Sequence, residues 1–377
     1  MSKFTRDGGL AGSRFKFGLG VSSAILAFAA LPGAIGVASA QAPQATAKSD
    51  DVVVTARRVE ERLQDVPVAV TAFSAAQLEA QGARRVSDLA TLTPGFVTRA
   101  GQSTPTASTF TIRGQTQTDI LATLDPSVGL YVDGVYWARA YGLNGDLLDI
   151  KSGQVLRGPQ GTLFGRNTSA GAVLIETNKP DLTKVSGMLG LTAGNFERLD
   201  GVGVLNIPIV KDKLAVRVAL QSNNRGGYQK NLFTGKDVNE LESTTGRVRV
   251  LFQPSSRFST MLNYERYESD SDNGARVMLY GRGLAALTAG GQSVLDAYIV
   301  SSSNTEDTLN NNVTAHAFAE TETYSSNSKL DLGGADLTFV AAHRKVTTSA
   351  LADLDGTRFP IHETLGEQEL EQTSYEL

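Results

Sequence analysis

The chain has 377 residues, 20% of them charged and 41% hydrophobic, which is typical of a folded protein rather than a disordered or collagen-like one. It contains no cysteine, so disulfides and thiolate metal sites are excluded. Its formal net charge of −4 argues against a nucleic-acid partner, because a basic surface is what binds a phosphate backbone.

Residues 1–40 predict a secretory signal peptide. A basic start leads into an apolar run over residues 19–31, and residues 38–40 (Ala-Ser-Ala) then supply a small-residue cleavage site. An uncleaved anchor is the alternative, but the run is short for a spanning helix and is followed at once by Pro32 and Gly33. No later stretch approaches about 18 uninterrupted apolar residues. We therefore expect an exported protein whose membrane spans, if any, are made of strands.

Residues 41–50 are rich in Ala, Gln, Thr and Pro and predict a flexible arm. A short run of β-branched residues next to charged ones follows the arm directly: Asp51, Val52, Val53, Val54, Thr55 and Ala56. Two interpretations of this run are open on physical grounds. It is either an ordinary edge strand of the next domain or a detachable strand that pairs with another protein by β-augmentation.

Residues 59–180 predict an α+β domain of about four to six short strands and two small helices, joined by long polar loops. Ser74 supplies an N-cap, and Gln77 stands three residues later in the spacing of a capping box. Gly82 closes that helix. A second short helix is expected at about residues 86–92. Each helix has one apolar stripe, so both must lie on a sheet.

The second half of this domain is rich in glycine-containing turns. Asp133-Gly134 lies between alternating apolar residues and predicts a β-hairpin. Residues 155–180 hold four glycines between short apolar pieces, so the backbone must turn repeatedly and pack closely: Gly158, Gly161, Gly165 and Gly171. Arg157 and Arg166 lie among these turns, and a charge in so compact a block needs a partner. The stretch lacks the Gly-Lys-Ser/Thr of a phosphate loop.

Residues 184–377 follow a different pattern, in which apolar and polar residues alternate with the period of a β-strand. Short turns are predicted at residues 208–213, 254–257 and 333–335. Long polar segments alternate with them at residues 223–243, 269–312 and 349–369. This arrangement predicts a transmembrane antiparallel β-barrel, apolar outside and polar inside. About seven strands can be recognised, and an eighth begins near residue 371. Barrels with a plugged lumen have about 22 strands, so we expect the N-terminal part of a longer protein.

The chain resembles the TonB-dependent outer-membrane receptors, particularly those for ferric siderophores, over everything after the predicted signal peptide. Residues 41–58 correspond to a flexible arm with the TonB box, and residues 59–180 to the plug domain. Three plug motifs occur in the family's order: Thr111-Ile112-Arg113-Gly114, Tyr131-Val132-Asp133-Gly134-Val135-Tyr136 and the run from Leu156 to Asn167. Residues 150–155 depart from the Ile-Glu-Arg-Val-Glu-Val type of run that the family usually has.

The resemblance implies TonB-dependent active transport of a scarce solute across the outer membrane of a Gram-negative bacterium. An iron–siderophore complex is the default cargo for the family. The TonB protein, powered from the inner membrane, captures the TonB box, and its pull shifts or unfolds part of the plug. Iron would be carried as a chelated substrate, so no cofactor is expected, and lipid of the outer membrane surrounds the barrel.

The motifs also supply candidate site residues. Three arginines are candidates for ion pairs with barrel glutamates, and carbonyl groups of the plug loops are their alternative partners: Arg113, Arg157 and Arg166. Gly114, directly after Arg113, belongs to the first of the three plug motifs. For contact with the solute we expect the loops around Gln102, Thr118 and Trp137, the single tryptophan. The three histidines lack metal-ligand spacing, so no metal site is predicted.

Other protein classes are open as alternatives. A passive porin or adhesin-type barrel with a constricting N-terminal domain would need no TonB box, so a TonB pull-down after deletion of residues 52–55 distinguishes it. An exported enzyme is disfavoured, because the sequence has no nucleophile elbow and no metal-ligand cluster. The cargo is also open, since such receptors carry vitamin B12, carbohydrates and other metals as well.

Overall fold

The structure of the chain is a computed structural model that describes residues 53–54, 61–62, 65–101, 107–121, 123–272, 307–360 and 362–377. The predicted signal peptide and the residues 41–50 of the predicted arm lie outside the described residues. The described part consists of an N-terminal α+β domain, residues 65–177, that lies against a long antiparallel sheet, the eight-stranded sheet, built from residues 186–376.

Short strands and one-turn helices make up the first part of the chain. The pair β1 (Val53–Val54) and β2 (Glu61–Arg62) is antiparallel. The N-terminal domain then contains, in chain order, β3 (Ala69–Ser74), α1 (Ala75–Ala80), a 3-10 turn (Val86–Asp88), α2 (Leu89–Leu92), β4 (Phe96–Ala100), β5 (Ser108–Ile112), β6 (Val128–Val132), β7 (Val135–Trp137), β8 (Ile150–Arg157), α3 (Gly161–Phe164) and β9 (Gly171–Thr177). Five strands form one sheet in the order β3-β8-β9-β6-β7, and β4 pairs with β5 separately.

Local sequence signals account for the ends of these elements. The Ser74 side chain accepts a hydrogen bond from the Gln77 amide, and the Gln77 side chain accepts one from the Ser74 amide at 2.9 Å, which confirms the capping box. Asp133 and Gly134 have φ of +50° and +85°, as a type I′ hairpin turn requires, so the predicted hairpin is confirmed. The domain has one more strand than expected, and Gly161–Phe164 adds a third helix.

The core of the domain fills both faces of its five-stranded sheet. On one face the helices contribute Leu78 and Leu89, which pack near Gly153, where a Cβ atom would lie 3.4 Å from Leu89. The other face is smaller and centres on Tyr131 and Phe164, whose rings lie 5.1 Å apart. Among the described residues, no helix is both long and apolar enough to cross a membrane.

Eight long strands form the second sheet, in chain order and antiparallel throughout: β10 (Ser186–Gly194), β11 (Arg198–Val210), β12 (Leu214–Arg225), β15 (Leu241–Ser255), β16 (Phe258–Ser271), β18 (His316–Asp331), β19 (Asp336–Asp353) and β20 (Glu363–Glu376). Three further short strands, β13 (Gln229–Asn231), β14 (Asp237–Val238) and β17 (Thr308–Leu309), pair within the long connections at one end. The three short turns predicted at the other end are confirmed by the strand bounds.

The last strand begins earlier than expected, at Glu363 rather than near residue 371. Strand β19 also extends to Asp353, so the predicted polar segment 349–369 is mostly paired strand. The prediction missed this pairing because β20 carries glutamates on its exposed face and few apolar residues, so the hydrophobic alternation that marks a half-buried strand is absent.

The two faces of the eight-stranded sheet differ in chemistry. Arginines on the inner face are buried beneath the N-terminal domain, whereas apolar side chains at alternating positions are exposed on the outer face: Ile207, Ile209, Val248, Phe252, Leu262 and Phe339. Along β16 the outer face changes from Leu262 through Tyr264 to Arg266, and the Tyr264 and Tyr324 rings lie 4.8 Å apart at this change. Aromatic residues at an apolar–polar boundary are typical of a membrane–water interface.

Candidate functional site

The contact between the N-terminal domain and the inner face of the eight-stranded sheet is the candidate site. Two carboxylates of the domain meet arginines of the sheet: Asp133 pairs with Arg249 and Asp149 with Arg217. The four side chains are 2–16% exposed, so these ion pairs are largely removed from water. Their Coulomb attraction is therefore screened less than that of a surface pair.

The hairpin turn places Asp133 toward the sheet. Its Oδ1 atom accepts a hydrogen bond from the Thr177 amide at 2.9 Å, and its Oδ2 atom accepts one from the Thr177 hydroxyl at 2.8 Å and another from Arg249. Arg249 is 1% exposed and also donates to the Asn178 carbonyl at 3.0 Å. The guanidinium thus holds the turn of β6–β7 and the end of β9 together.

Asp149 forms a bidentate pair with Arg217, through Nε at 2.6 Å and Nη2 at 2.7 Å. It lies directly before β8 with φ of +47°, a left-handed conformation that Asp tolerates better than most residues. Asn178 fixes it by donating from its side chain to the carboxylate at 2.8 Å and from its amide to the Asp149 carbonyl at 2.9 Å. Asn178 therefore links the two ion pairs.

Asp146 and Arg247 extend this polar contact along the sheet. The Asp146 carboxylate accepts from Ser243 at 2.8 Å and from Asn223 at 2.9 Å, and Arg85 of its own domain lies 3.4 Å away. Arg247 pairs with Glu265 and donates to the Leu148 carbonyl at 2.6 Å. Burial opposes the charged form of Arg85, but nearby Tyr267 and Asp146 outweigh it and raise the pKa of Arg85.

A separate contact joins β7 to β19 and β20. The Arg344 guanidinium lies 4.1 Å from the centre of the Trp137 ring and donates to the Gly142 carbonyl at 2.9 Å. The Gln372 side chain donates to the Tyr136 carbonyl at 2.7 Å and accepts from the Ala138 amide at 3.0 Å. This edge of the domain's sheet is therefore capped by side chains of the eight-stranded sheet.

The three arginines that the sequence predicted as ion-pair partners are not part of these ion pairs. Arg113 and Arg166 are exposed, Arg157 is half-buried, and none of them forms an ion pair with any residue that the structure describes. The observed pairs mostly have the opposite polarity from the predicted ones, since arginines belong to the sheet and carboxylates to the domain. One pair has the predicted polarity: Arg84 of the domain lies 2.8 Å from Asp200 of β11.

The glycines of residues 155–180 shape the turns rather than bind a group. Gly165 has φ of +77° at the end of α3. At Gly171 a Cβ atom would lie only 2.2 Å from the Leu156 carbonyl oxygen, so no other residue fits there without a shift of β8. The Tyr131 hydroxyl donates to the Phe164 carbonyl at 2.5 Å, and Asn167 donates to the Tyr136 hydroxyl at 2.7 Å. Burial raises the pKa of Tyr136, so that hydroxyl stays neutral.

The remaining predicted residues are only partly described. Within the predicted TonB box, Val53 and Val54 form β1, and the other four residues lie outside the described part, as does Gln102. Thr118 is exposed in the loop after β5. Trp137 is 6% exposed, because Arg344 covers its ring, so it lies at the inner contact and not on an open loop. The described ranges contain no group of three or more potential metal ligands.

Sequence reasoning missed the carboxylates of the site. Asp133 reads as a turn former, and Asp149 precedes a strand without any motif around it. A usable signal did exist on the other side of the contact, where arginines occupy alternating positions of predicted strands: Arg217, Arg247 and Arg249. Arginine on the inner face of a sheet indicates that an acidic or carbonyl-rich partner covers that face.

Comparison with known proteins identifies relatives of both parts of the chain. Residues 62–172 match the TonB-dependent receptor plug domain. The pesticin receptor of Yersinia pestis is 33% identical over 234 residues, which are 60% of this chain and 33% of that receptor. The ferric yersiniabactin uptake receptor FyuA from Yersinia pestis superimposes with a TM-score of 0.62 at 21% identity over 81% of this chain and 45% of that chain. The ferripyoverdine receptor of the outer membrane of Pseudomonas aeruginosa superimposes with a TM-score of 0.64 at 14% identity, over 84% of this chain and 40% of that chain.

The chain thus spans about a third of the curated relative and less than half of either solved receptor. The structural likeness shows the fold, in which the N-terminal domain is the plug and the eight-stranded sheet is part of the barrel wall. Residues 62–172 are therefore a TonB-dependent receptor plug domain, and the eight described strands that follow have the fold of part of the barrel of such receptors.

Proposed function

We propose that the chain forms the plug and part of the barrel of a transporter that takes up an iron–siderophore complex across the outer membrane, driven by TonB. The observation that carries this proposal is the polar contact between plug and barrel, with Asp133–Arg249 and Asp149–Arg217 at its centre. Such a contact closes the pore at rest and is still separable. Each charged group regains water when the plug moves, whereas an apolar contact of equal area would expose hydrophobic surface.

The N-terminal end of the plug offers a route for a pulling force. Val53–Val54 pairs only with Glu61–Arg62 among the described residues, and a two-residue ladder is easily exchanged for a strand of another protein. Along the chain, the first strand of the plug's sheet is β3, which lies at the edge of that sheet and pairs with β8 alone. A pull on the TonB box therefore reaches a strand that is held on one side.

The relatives support the cargo. Their names refer to pesticin, to ferric yersiniabactin and to ferripyoverdine, and the last two are iron chelates. We therefore propose an iron–siderophore complex as the substrate of this chain and TonB as its energising partner. Iron enters as part of the substrate, so the proposal includes no cofactor and no chemical conversion. The receptors it resembles are transport proteins and not enzymes.

Replacement of Val53 by Pro tests the TonB dependence. Proline removes the backbone N–H that a captured strand needs, so we expect energy-dependent uptake to be lost while binding of the iron chelate at the cell surface is unchanged. The matched control is Val53→Thr, which keeps the N–H and the β-branched side chain. Undiminished energy-dependent uptake by Val53→Pro would contradict the proposal. Uptake that persists in cells without TonB would favour a passive barrel instead.

The cargo class needs its own measurement. If iron is the transported element, transcription of the gene should rise several-fold under iron starvation, and cells with the gene deleted should lose uptake of at least one iron-55-labelled siderophore. A gene that responds to vitamin B12 or to a carbohydrate, with no iron response, would contradict the siderophore proposal and leave TonB-dependent transport intact.

A further inference from the structure

A small cavity of about 30 Å³ lies between the plug and the inner face of the barrel, apart from the Asp133 and Asp149 ion pairs. Trp137 and Gly142 line it from the plug, and Thr321 lines it from β18. Asp146 of the plug and Glu265 of β16 also line it. Both carboxylates are already engaged, Asp146 by Arg85 at 3.4 Å and Glu265 by Arg247 at 2.5 Å.

Arg344 lies beside this cavity, against Trp137 and Gly142, and the carboxylate that attracts it, Glu265, is already paired with Arg247. Arg344 is 4% exposed and forms no ion pair with a carboxylate in the described ranges. Its contacts are the Gly142 carbonyl at 2.9 Å and the face of Trp137 at 4.1 Å, and its Nε atom is buried without a hydrogen-bond partner among the described residues. A buried cation is costly unless a charged or hydrogen-bonding partner compensates it.

Three more buried donors without a partner in the described part of the chain surround the same place. They are the Trp137 indole N–H and the hydroxyls of Thr321 and Thr323, on side chains that are 4–6% exposed. Thr323 faces Arg344 directly in the strand register. A Cβ atom on Gly142 would lie 2.6 Å from Nη2 of Arg344 and 3.1 Å from Oγ1 of Thr321, so these two groups converge at that glycine.

The chemistry of these groups defines the missing partner. An indole N–H and a guanidinium Nε–H can only donate, and a threonine hydroxyl can donate as well as accept, so the site needs an acceptor. A water molecule would accept two of these bonds but would leave the charge of Arg344 unbalanced. An anion of similar size would accept the bonds and balance the charge.

We propose that this cavity binds a small monovalent anion, with chloride as the ligand, beside the stacked Arg344 and Trp137 side chains of the plug–barrel contact. The anion would join β7 of the plug to β18 and β19 of the barrel. It would therefore stabilise the seated plug without touching the ion pairs of Asp133 and Asp149. This inference concerns the resting plug and holds whatever solute the receptor carries.

Fluorescence of Trp137 provides the test, because it is the single tryptophan of the chain. The full chain in detergent is titrated with chloride, bromide or iodide at constant ionic strength, with gluconate as the replacement anion. We subtract the signal of Trp137→Phe to isolate this residue. We expect bromide and iodide to quench the emission in a saturable way, chloride to relieve the quenching by competition, and chloride to raise the denaturant midpoint of plug unfolding to a plateau.

Two variants and one control locate the effect. Arg344→Met and Thr321→Val should each weaken the apparent halide affinity, by about tenfold or more for the loss of the charged donor. Lys345→Met, the next residue on the outer face of the same strand, should leave it unchanged. Purely linear quenching without chloride competition in the wild-type protein overturns the proposal, whether or not the variants fold. Equal saturable quenching in the folded Arg344→Met protein also overturns it.

Discussion

The ion pair of Asp133 and Arg249 gives the sharpest prediction, because losing one partner should cost more stability than losing the other. Without Arg249, Asp133 keeps its two hydrogen bonds from Thr177 and is 16% exposed, so water can reach it. Without the charge on Asp133, the Arg249 side chain is 2% exposed and left with neutral partners such as the Asn178 carbonyl. Loss of the aspartate should therefore destabilise the seated plug more than loss of the arginine.

Asp133→Asn removes the charge while keeping the turn, because Asn also tolerates the φ of +50°. Breaking a buried pair from one side costs about 3–5 kcal/mol, and we expect this variant to fall in that range. Arg249→Met should cost less, about 1–3 kcal/mol, since the carboxylate left behind stays hydrogen-bonded. The double variant should be more stable than Asp133→Asn alone, because it no longer buries an unpaired charge.

Denaturant unfolding of the plug, followed by Trp137 fluorescence in detergent, measures these differences as shifts of the midpoint. The four proteins form a double-mutant cycle, and we expect a coupling free energy of at least about 1 kcal/mol. Arg217→Met serves as the matched control, because it breaks the neighbouring ion pair instead. Asp133→Asn introduced into the Arg217→Met protein should still lower the midpoint by its full amount. Strictly additive effects, or a larger loss in Arg249→Met than in Asp133→Asn, would refute the reasoning.

Two further predictions concern the plug's sheet. Gly171→Ala places a Cβ atom 2.2 Å from the Leu156 carbonyl and should lower plug stability by several kcal/mol in the same unfolding assay, whereas Gly161→Ala, with open space at its Cβ, should change it by less than about 1 kcal/mol. Ala69 and Arg157 are direct cross-strand partners, and the chain has no cysteine, so replacing both by Cys should create a single disulfide that ties β3 to β8. Cells that carry the disulfide-bonded variant should bind the chelate and fail to take it up until a reductant is added. Uptake by the fully disulfide-bonded protein would exclude detachment of β3 as a required step.

Features that depend on neighbouring residues could be predicted from the sequence. The capping box of Ser74 and Gln77 involves residues three positions apart, and the turn at Asp133 and Gly134 is decided by two backbone conformations. Alternation along the barrel strands identified the three short turns, because exposure to lipid on one face leaves a regular apolar period. Strand β20 escaped this reasoning because its outer face is charged.

Features that depend on register between distant segments could not be predicted. Asp133 and Arg249 are 116 positions apart, and Asp149 and Arg217 are 68 apart. A one-residue slip of either strand would turn its arginine to the outer face, so the pairing follows from the complete sheet and not from any local motif. The same reason explains the burial of Trp137: its hairpin is recognisable in sequence, but the Arg344 that covers it lies on another sheet.

The contact of Gln372 with β7 shows how the barrel closes the exposed edge of the plug's sheet. Its amide donates to the Tyr136 carbonyl and accepts from the Ala138 amide, as a neighbouring strand would, so an edge that could pair with another chain is occupied. Gln372→Glu keeps the acceptor but faces the Tyr136 carbonyl with a negative charge, and we expect a loss of about 1–3 kcal/mol of plug stability. Gln368→Glu on the same face of β20, which makes no hydrogen bond to the plug among the described residues, should have a much smaller effect on the unfolding midpoint. If both variants lower the midpoint equally, the added charge of the barrel interior is responsible and the edge contact is not.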